Sequence, residues 1–335
     1  VYRNRKTGAL SEFSRHNAEP IDRIQFEQFV FSEQWARIKE YAHEKGIRIF
    51  GDIPIYVDRD SSDLWAHPHL FLLNPDRSPK ALAGVPPDYF NEEGQLWGMP
   101  LYDWDAMEEE NYRWWITRLE KNLQWYDQLR LDHFRGFEAY WEVPTGERTA
   151  KKGRWIRGPG EKLFDAIQKR FPHMPFVAED LGQITPEVYD LRDQYGLPGM
   201  KVVQFGFGDH MAFSHHYPGN IPYRSIAYTG THDNNTMKGW FRKEADRATL
   251  KRYRSYTGNK LKEKNVHREM IRLAYGSPAR LVVVPMQDWL GLDEQSRMNF
   301  PSTITGNWLW RADRDQINQK LEKQIRKSVK NFGRY

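Results

Sequence analysis

Residues 129–137 read LRLDHFRGF. An aspartate, a histidine and two arginines stand inside an apolar frame that alternates like a buried strand. Residues i and i+2 of a strand point to the same side, so Arg130 and Asp132 face one space. Charge in such a place is either a structural ion pair or the floor of an active site. Five further runs have a similar build: IRIFGDIPIY (47–56), FVAEDL (176–181), MKVVQFGF (200–207), SIAYTGTHD (225–233) and RLVVVPMQDWLG (280–291). Asp52 ends the first run in the chain, Arg130 and Asp132 the second, Glu179 and Asp180 the third, His232 and Asp233 the fifth. Carboxylates at four strand ends are hard to explain as structural pairs alone. In a (β/α)8 barrel the active site lies at the C-terminal ends of the strands, which is where this pattern puts them.

Helical patterns lie between the runs. In 112–127, Trp115, Leu119, Leu123 and Tyr126 recur at helical spacing; in 24–45, Trp35, Ile38, Tyr41 and Ala42 do so. A further helix is expected at 315–330, from Ile317, Leu321, Ile325 and Val329. Strand–helix alternation implies parallel strands with crossover helices, hence an α/β fold. Two connections are too long for simple turns. Residues 57–111 are expected to form an inserted substrate-binding loop region and 135–175 an inserted subdomain, since long loops in a compact domain usually carry function.

The chain has 335 residues, 28% of them charged, and a net charge of +5. Basic and acidic residues are interleaved, so neither a nucleic-acid partner nor a membrane surface is expected. No apolar run has the length of a bilayer span. Cysteine is absent, which excludes disulfides and thiolate metal sites and fits a cytoplasmic protein. No HExxH and no GxxxxGK[ST] sequence occurs, so neither a metal nor a cofactor is expected. The 13 Trp, 17 Tyr and 18 Phe suit either a core of large rings or stacking platforms for sugars or bases.

The carboxylates permit one chemistry in particular. The Arg130 guanidinium orients the Asp132 carboxylate, as a nucleophile requires. Glu179 follows Phe176, Val177 and Ala178; a carboxyl with less solvent has a raised pKa and can act as a general acid. Two carboxyls in contrasting environments suit glycosyl transfer.

The motifs closely resemble the amylomaltase (4-α-glucanotransferase, or disproportionating enzyme) family of the α-amylase clan. The matching stretches are GDIPIYV (51–57), SSDLWAHPHLF (61–71), AGVPPDYFNEEGQLWGMPLYDW (83–104), LRLDHFRGF (129–137), VAEDLG (177–182), YTGTHDNNT (228–236) and RMNFPSTITGNWLWR (297–311). The resemblance implies a (β/α)8 TIM barrel of the α-amylase type with inserted loop subdomains. It implies that about six of eight strands, the third to the eighth, are present. The whole of 1–335 is then a catalytic barrel, N-terminally incomplete: a fragment, one piece of a split protein with a separate N-terminal fragment of the same protein as its partner, or an incomplete gene model. By the same resemblance Asp132 is the nucleophile, Glu179 the general acid/base and Asp233 the third carboxylate, gripping sugar hydroxyls. Arg130 and His232 are partners of the nucleophile and the sugar. Tyr89, Phe90, Gln95, Trp97 and Phe205 are subsite walls. Asp52 binds substrate or is a structural acceptor. The implied activity moves α-1,4-glucan segments, from glucans or maltooligosaccharides, to the 4-hydroxyl of another sugar by retaining double displacement. The alternatives are an α-glucan hydrolase of the same clan and a non-catalytic glucan-binding fragment. Met99, Asn235, Asp293 and Ser302 depart from the family pattern, away from the three carboxylates.

Overall fold

Strand β1 (Phe50–Ile53) pairs in parallel with β4 (Gln128–Leu131), and β4 with β7 (Phe176–Ala178). Three residues of β4 and all of β7 are buried, as expected of strands covered on both faces. These strands belong to one of two compact units, Val1–Leu197; the second is Pro198–Tyr335. A computed structural model of the chain describes residues 1–87, 91–301, 303 and 305–334. In the second unit β8 (Gly199–Val202), β9 (Ser225–Tyr228) and β10 (Leu281–Val283) are also parallel, with β9 paired to both neighbours. The fold is therefore α/β with parallel strands separated by helices. No helix among the described residues is long and apolar enough to cross a membrane.

The strands are shorter than the apolar runs that announce them. β8 stops at Val202 and the chain turns into a 3-10 segment, Val203–Phe207. β10 stops at Val283, and Met286–Leu290 is a short helix rather than strand. Pro285 explains that change: it has no N–H for a ladder and stands just before the first helical turn. β9 ends at Tyr228, leaving 229–233 as loop.

Strands from residues 57–111 and 135–175 pair with one another. β2 (Ala81–Val85) and β3 (Gln95–Pro100) come from the former, β5 (Ala139–Pro144) and β6 (Arg154–Arg157) from the latter. They form one antiparallel sheet in the order β3-β2-β5-β6. Its centre is the β2–β5 pair, with Leu82 opposite Val143 and Ala83 opposite Glu142.

Arg113–Trp125 is a helix that buries Trp115 and Leu119. Around Trp115 gather Tyr102, Trp104, Trp114 and Phe137, and Phe164 follows against Phe137. Each fully buried side chain of this size contributes roughly 1.5–3 kcal/mol. A helix near the start of the chain runs from Ala18 to Glu44, beginning earlier than the 24–45 pattern suggests. It meets the end of Arg113–Trp125 through polar contacts. Trp35 Nε1 donates to Trp125 O at 2.9 Å, and Lys39 Nζ donates to the carbonyls of Leu123, Gln124 and Tyr126 at 3.0–3.1 Å. A cation on the last carbonyls of a helix satisfies acceptors that have no partner within it. In the second unit, Gln319–Asn331 is helical and seats Leu321 against Ile271 and Trp289.

Gly51 in β1 is a close-approach position. A Cβ there would stand 2.3 Å from Cγ of Tyr126, whose ring is also packed against Trp35. Gly51→Ala is expected to destabilise the fold by about 1–3 kcal/mol through overpacking. A urea unfolding curve checks this; an unchanged midpoint would mean that the Tyr126 ring swings aside freely.

Candidate active site

The first unit gathers its charge in the last residues of β1 and β4, at Asp52 and Arg130, and just beyond β4 and β7, at Asp132 and Glu179. The register places Asp52 directly opposite Arg130. Arg130 Nη1 donates to both Asp52 oxygens, at 2.9 and 2.8 Å. Its Nη2 stands 2.8 Å from Asp132 Oδ1. One buried guanidinium thus holds two carboxylates from adjacent strands. Burial by itself would lower its pKa; the charges of Asp132 and Asp52 more than offset that and raise it. The Arg130 side chain is 10% exposed, whereas those of Asp132 and Asp52 are 37% and 47% exposed. The cation is sheltered and the carboxylates look outward.

Glu179 follows β7 and is held differently. Its N–H donates to Leu131 O at 3.1 Å, which continues the parallel ladder one residue beyond the strands. Its Oε2 accepts from His133 N–H and its Oε1 from Leu181 N–H, both at 2.9 Å. The three residues before it are fully buried. Burial pushes the Glu179 carboxyl up to about 7; Arg130 opposes the shift and Asp132 adds to it. The neighbouring Asp180 is buried against Arg192, 2.6 Å away.

His133 is a site residue that the sequence pattern did not single out. Its backbone is left-handed, φ 49°, a conformation that costs a non-glycine residue free energy and that accompanies the aiming of its N–H at Glu179. Its ring stands edge-on to Trp97, centroids 4.9 Å apart, and burial pushes the imidazole down to about 4. Trp97 in β3 donates from Nε1 to Gln95 Oε1 at 3.2 Å and also contacts the Tyr56 ring. Gln95 and Trp97 are therefore connected to Glu179 through His133. Tyr89 and Phe90 lie outside the described residues.

The second unit carries His232 and Asp233 on the loop after β9. Asp233 Oδ1 accepts from Asn299 Nδ2 at 2.6 Å, and its backbone carbonyl accepts from Arg297 Nη2 at 2.6 Å. His232 Nε2 stands 3.4 Å from Asp233 Oδ2, and its ring packs on Trp308, centroids 5.2 Å apart. Asp288 lies beneath this loop; burial pushes its carboxyl up to about 6. Phe205 is half-exposed on the 3-10 segment and packs edge-on to His216. Arg297, Asn299 and Trp308 lie within 297–311, a stretch whose motif was visible but whose individual roles depend on pairing with the loop. Asp288 sits within a run that reads as strand, which hides it.

The Glyco_hydro_77 family model, described as 4-alpha-glucanotransferase, matches residues 1–316. The chain belongs to this family. It is 46% identical over 325 residues to the 4-alpha-glucanotransferase of Streptococcus pneumoniae serotype 4, covering 96% of this chain and 64% of that protein. It is 49% identical over 315 residues to the 4-alpha-glucanotransferase of Thermus thermophilus, covering 92% of this chain and 63% of that protein. The chain thus spans somewhat less than two thirds of the length of these relatives. Among solved structures, the amylomaltase from Streptococcus agalactiae in complex with acarbose matches with a TM-score of 0.95 at 37% identity, over 100% of this chain and 67% of that one.

The raised Glu179 carboxyl makes stability depend on pH. Its pKa rises from the ordinary 4.5 to about 7 in the folded state, so the folded chain holds a proton that the unfolded chain has released. The resulting stability is present below about pH 4.5 and is lost as pH rises through 7. Between about pH 4 and pH 8 the native protein should lose roughly 3 kcal/mol more stability than Glu179→Gln, which has no proton to lose. Denaturant unfolding of both proteins at the two pH values measures this; equal losses would show that Glu179 ionises as it does in water.

Proposed function

We propose that the chain carries the catalytic machinery of a 4-α-glucanotransferase. The observation that carries this reading is the contrast between two carboxyls beyond neighbouring strands. Asp132 is ion-paired and open to solvent, while Glu179 is buried and shifted to about 7. Membership of the family and the solved relative's complex with acarbose support an α-glucan as substrate. The parallel strands are read as part of an α-amylase-type (β/α)8 barrel, with the antiparallel sheet as its inserted substrate-binding region.

The proposed reaction proceeds in two displacements. Asp132 attacks the anomeric carbon of an α-1,4-linked glucose, with Arg130 fixing the carboxylate. Glu179 gives its proton to the departing 4-oxygen, and a β-glucosyl-enzyme forms. A 4-hydroxyl of an acceptor sugar then replaces the leaving chain. Glu179, now a carboxylate, takes the proton of that hydroxyl as the oxygen attacks and frees Asp132. Two inversions give net retention. A group at about 7 serves both steps near neutral pH. Burial favours its acid form in the first step, and the N–H groups of His133 and Leu181 support its carboxylate in the second. Asp233 takes the role of the third carboxylate, binding sugar hydroxyls, with His232 beside it. Transfer rather than hydrolysis requires an acceptor that outcompetes water by position, since effective molarities of well-held groups reach roughly 10⁵–10⁸ M. Trp97, Tyr89 and Phe90 are assigned to that task.

Incubation of the whole protein with maltotriose tests the reading. Transfer yields glucose and a ladder of longer chains; hydrolysis alone yields only shorter ones and would remove the transferase assignment. Asp132→Asn should lower the rate by roughly three orders of magnitude or more. Glu179→Gln should fail on maltotriose yet recover glucosyl-enzyme formation from a glucosyl fluoride, whose leaving group needs little protonation. If both donors fail equally, Glu179 is not the acid. Tyr89→Ala or Phe90→Ala should raise the ratio of hydrolysis to transfer while cleavage persists. An unchanged ratio in a folded variant would remove the loop from control of partitioning.

A further inference from the structure

The loop that carries His232 and Asp233 leaves β9 at Thr229 and ends at Met237, the first residue of the helix Met237–Lys243. Both ends are tied to one side chain outside the loop. Thr229 Oγ1 donates to Asp288 Oδ2 at 2.6 Å, and Met237 N–H donates to Asp288 Oδ1 at 2.8 Å. Thr229 and Met237 are fully buried and Asp288 is 1% exposed. The two groups that hold this carboxylate are neutral donors, a hydroxyl and a backbone N–H.

A carboxylate in such a place is costly unless it does something that a neutral side chain does not. It offers two acceptor oxygens to two donors. An amide of the same shape offers one acceptor, and its NH₂ would face a donor. An apolar side chain would strand both the hydroxyl and a helix N-terminal N–H. The residue type therefore matches a two-point tie.

The helix that bears Asp288 is itself fixed. Trp289 packs against Ile271 and Leu321 in the core of the second unit. Gln287 Nε2 donates to Ser296 O at 3.2 Å, one residue before Arg297. Arg297 and Asn299 in turn hold Asp233. Consecutive residues of one short helix thus anchor both segments that meet at Asp233. Inside the loop, Asn234 Oδ1 accepts from Thr231 N–H and Oγ1 at 2.8 and 2.9 Å, and Gln204 Nε2 donates to Asn235 O at 2.6 Å. The loop is stiff within and tied at both ends.

We infer that Asp288 is a positioning residue that clamps the two ends of the 230–236 loop and thereby fixes the place of the Asp233 carboxylate. This inference rests on the role given above to Asp233. A misplacement of about 1 Å in a group that acts on the substrate can cost on the order of 10²-fold in rate.

The test compares Asp288→Asn, Thr229→Val and Thr229→Ser with the native protein. Amide hydrogen exchange of peptides spanning 229–238 reads the clamp directly. Exchange should be about tenfold or more faster in Asp288→Asn and Thr229→Val, and within about twofold of native in Thr229→Ser, which keeps the hydroxyl. In maltotriose disproportionation the first two variants should lose roughly 10–100-fold in kcat with KM changed less than about threefold. If Asp288→Asn does not fold, the Thr229→Val and Thr229→Ser pair decides alone. Native-like exchange in Thr229→Val, or equal loss in Thr229→Ser and Thr229→Val, overturns the clamp. A native protein that does not disproportionate maltotriose removes the role of Asp233 instead, and the exchange measurement still decides whether Asp288 holds the loop.

Discussion

The first unit's site is organised by a single buried cation. Arg130 reaches Asp52 with one arm of its guanidinium and Asp132 with the other. The planar fork makes this possible; an ammonium would be a point charge without two fixed directions. The same contact locks the pairing of β1 with β4, because a slip of one residue would carry Arg130 to the opposite face. Loss of either carboxylate would leave a sheltered charge half-compensated. Removing one partner of a buried pair typically costs about 3–5 kcal/mol, although here the carboxylates' partial exposure lowers that figure. Structure and chemistry draw on one contact: what fixes the register also orients Asp132.

Glu179 represents the opposite solution on the next strand. It has backbone N–H partners, and burial is the largest influence on its charge. One of those N–H groups belongs to His133, whose ring leans on Trp97 of the antiparallel sheet. Trp97 and the buried carboxyl are therefore mechanically linked. The arrangement also explains why these segments fold as one sheet. β3 bears Trp97 at the edge, and β2 ties it to β5, whose chain leads directly from the 132–138 turn.

The parallel strands were legible because buried strands leave apolar runs, and charge interrupts those runs only at their ends. Asp132, Glu179 and Asp233 stood out for that reason. The antiparallel sheet was not legible: β2 finds its partner β5 across two intervening strands and three helices, and nothing local in Ala81–Val85 announces that pairing. The turn of the chain at Pro285 was written in the sequence, yet the Val-rich run before it and the apolar Met286, Trp289 and Leu290 after it imitate one long strand. Asp288, Asn299 and Arg297 were invisible as functional residues, since their roles exist only where three separate segments meet. The aromatic content had two readings, and the structure divides it. Tyr102, Trp115, Phe134, Phe137 and Phe164 are core, whereas Trp308 and Phe205 remain substantially exposed.

Four acidic residues of the chain now illustrate how neighbours decide what a carboxyl can do. Asp132 is given to a cation and faces solvent. Glu179 has backbone donors and little water, so its proton is released near neutrality. Asp233 is held by an amide and, at its backbone, by a guanidinium, which fix its direction. Asp288 has two neutral donors and almost no solvent. Burial raises the pKa of Glu179 and Asp288, and each such shift subtracts from stability at neutral pH. The subtraction is tolerable because a dense aromatic core lies around Trp115, on the same unit as Glu179, and a second core around Phe207, Trp240 and Tyr253 lies on the same unit as Asp288. Destabilised polar groups gather beyond the strand ends, and apolar contacts accumulate elsewhere in each unit. That division lets a partly desolvated set of carboxyls persist without relaxing into ordinary surface pairs.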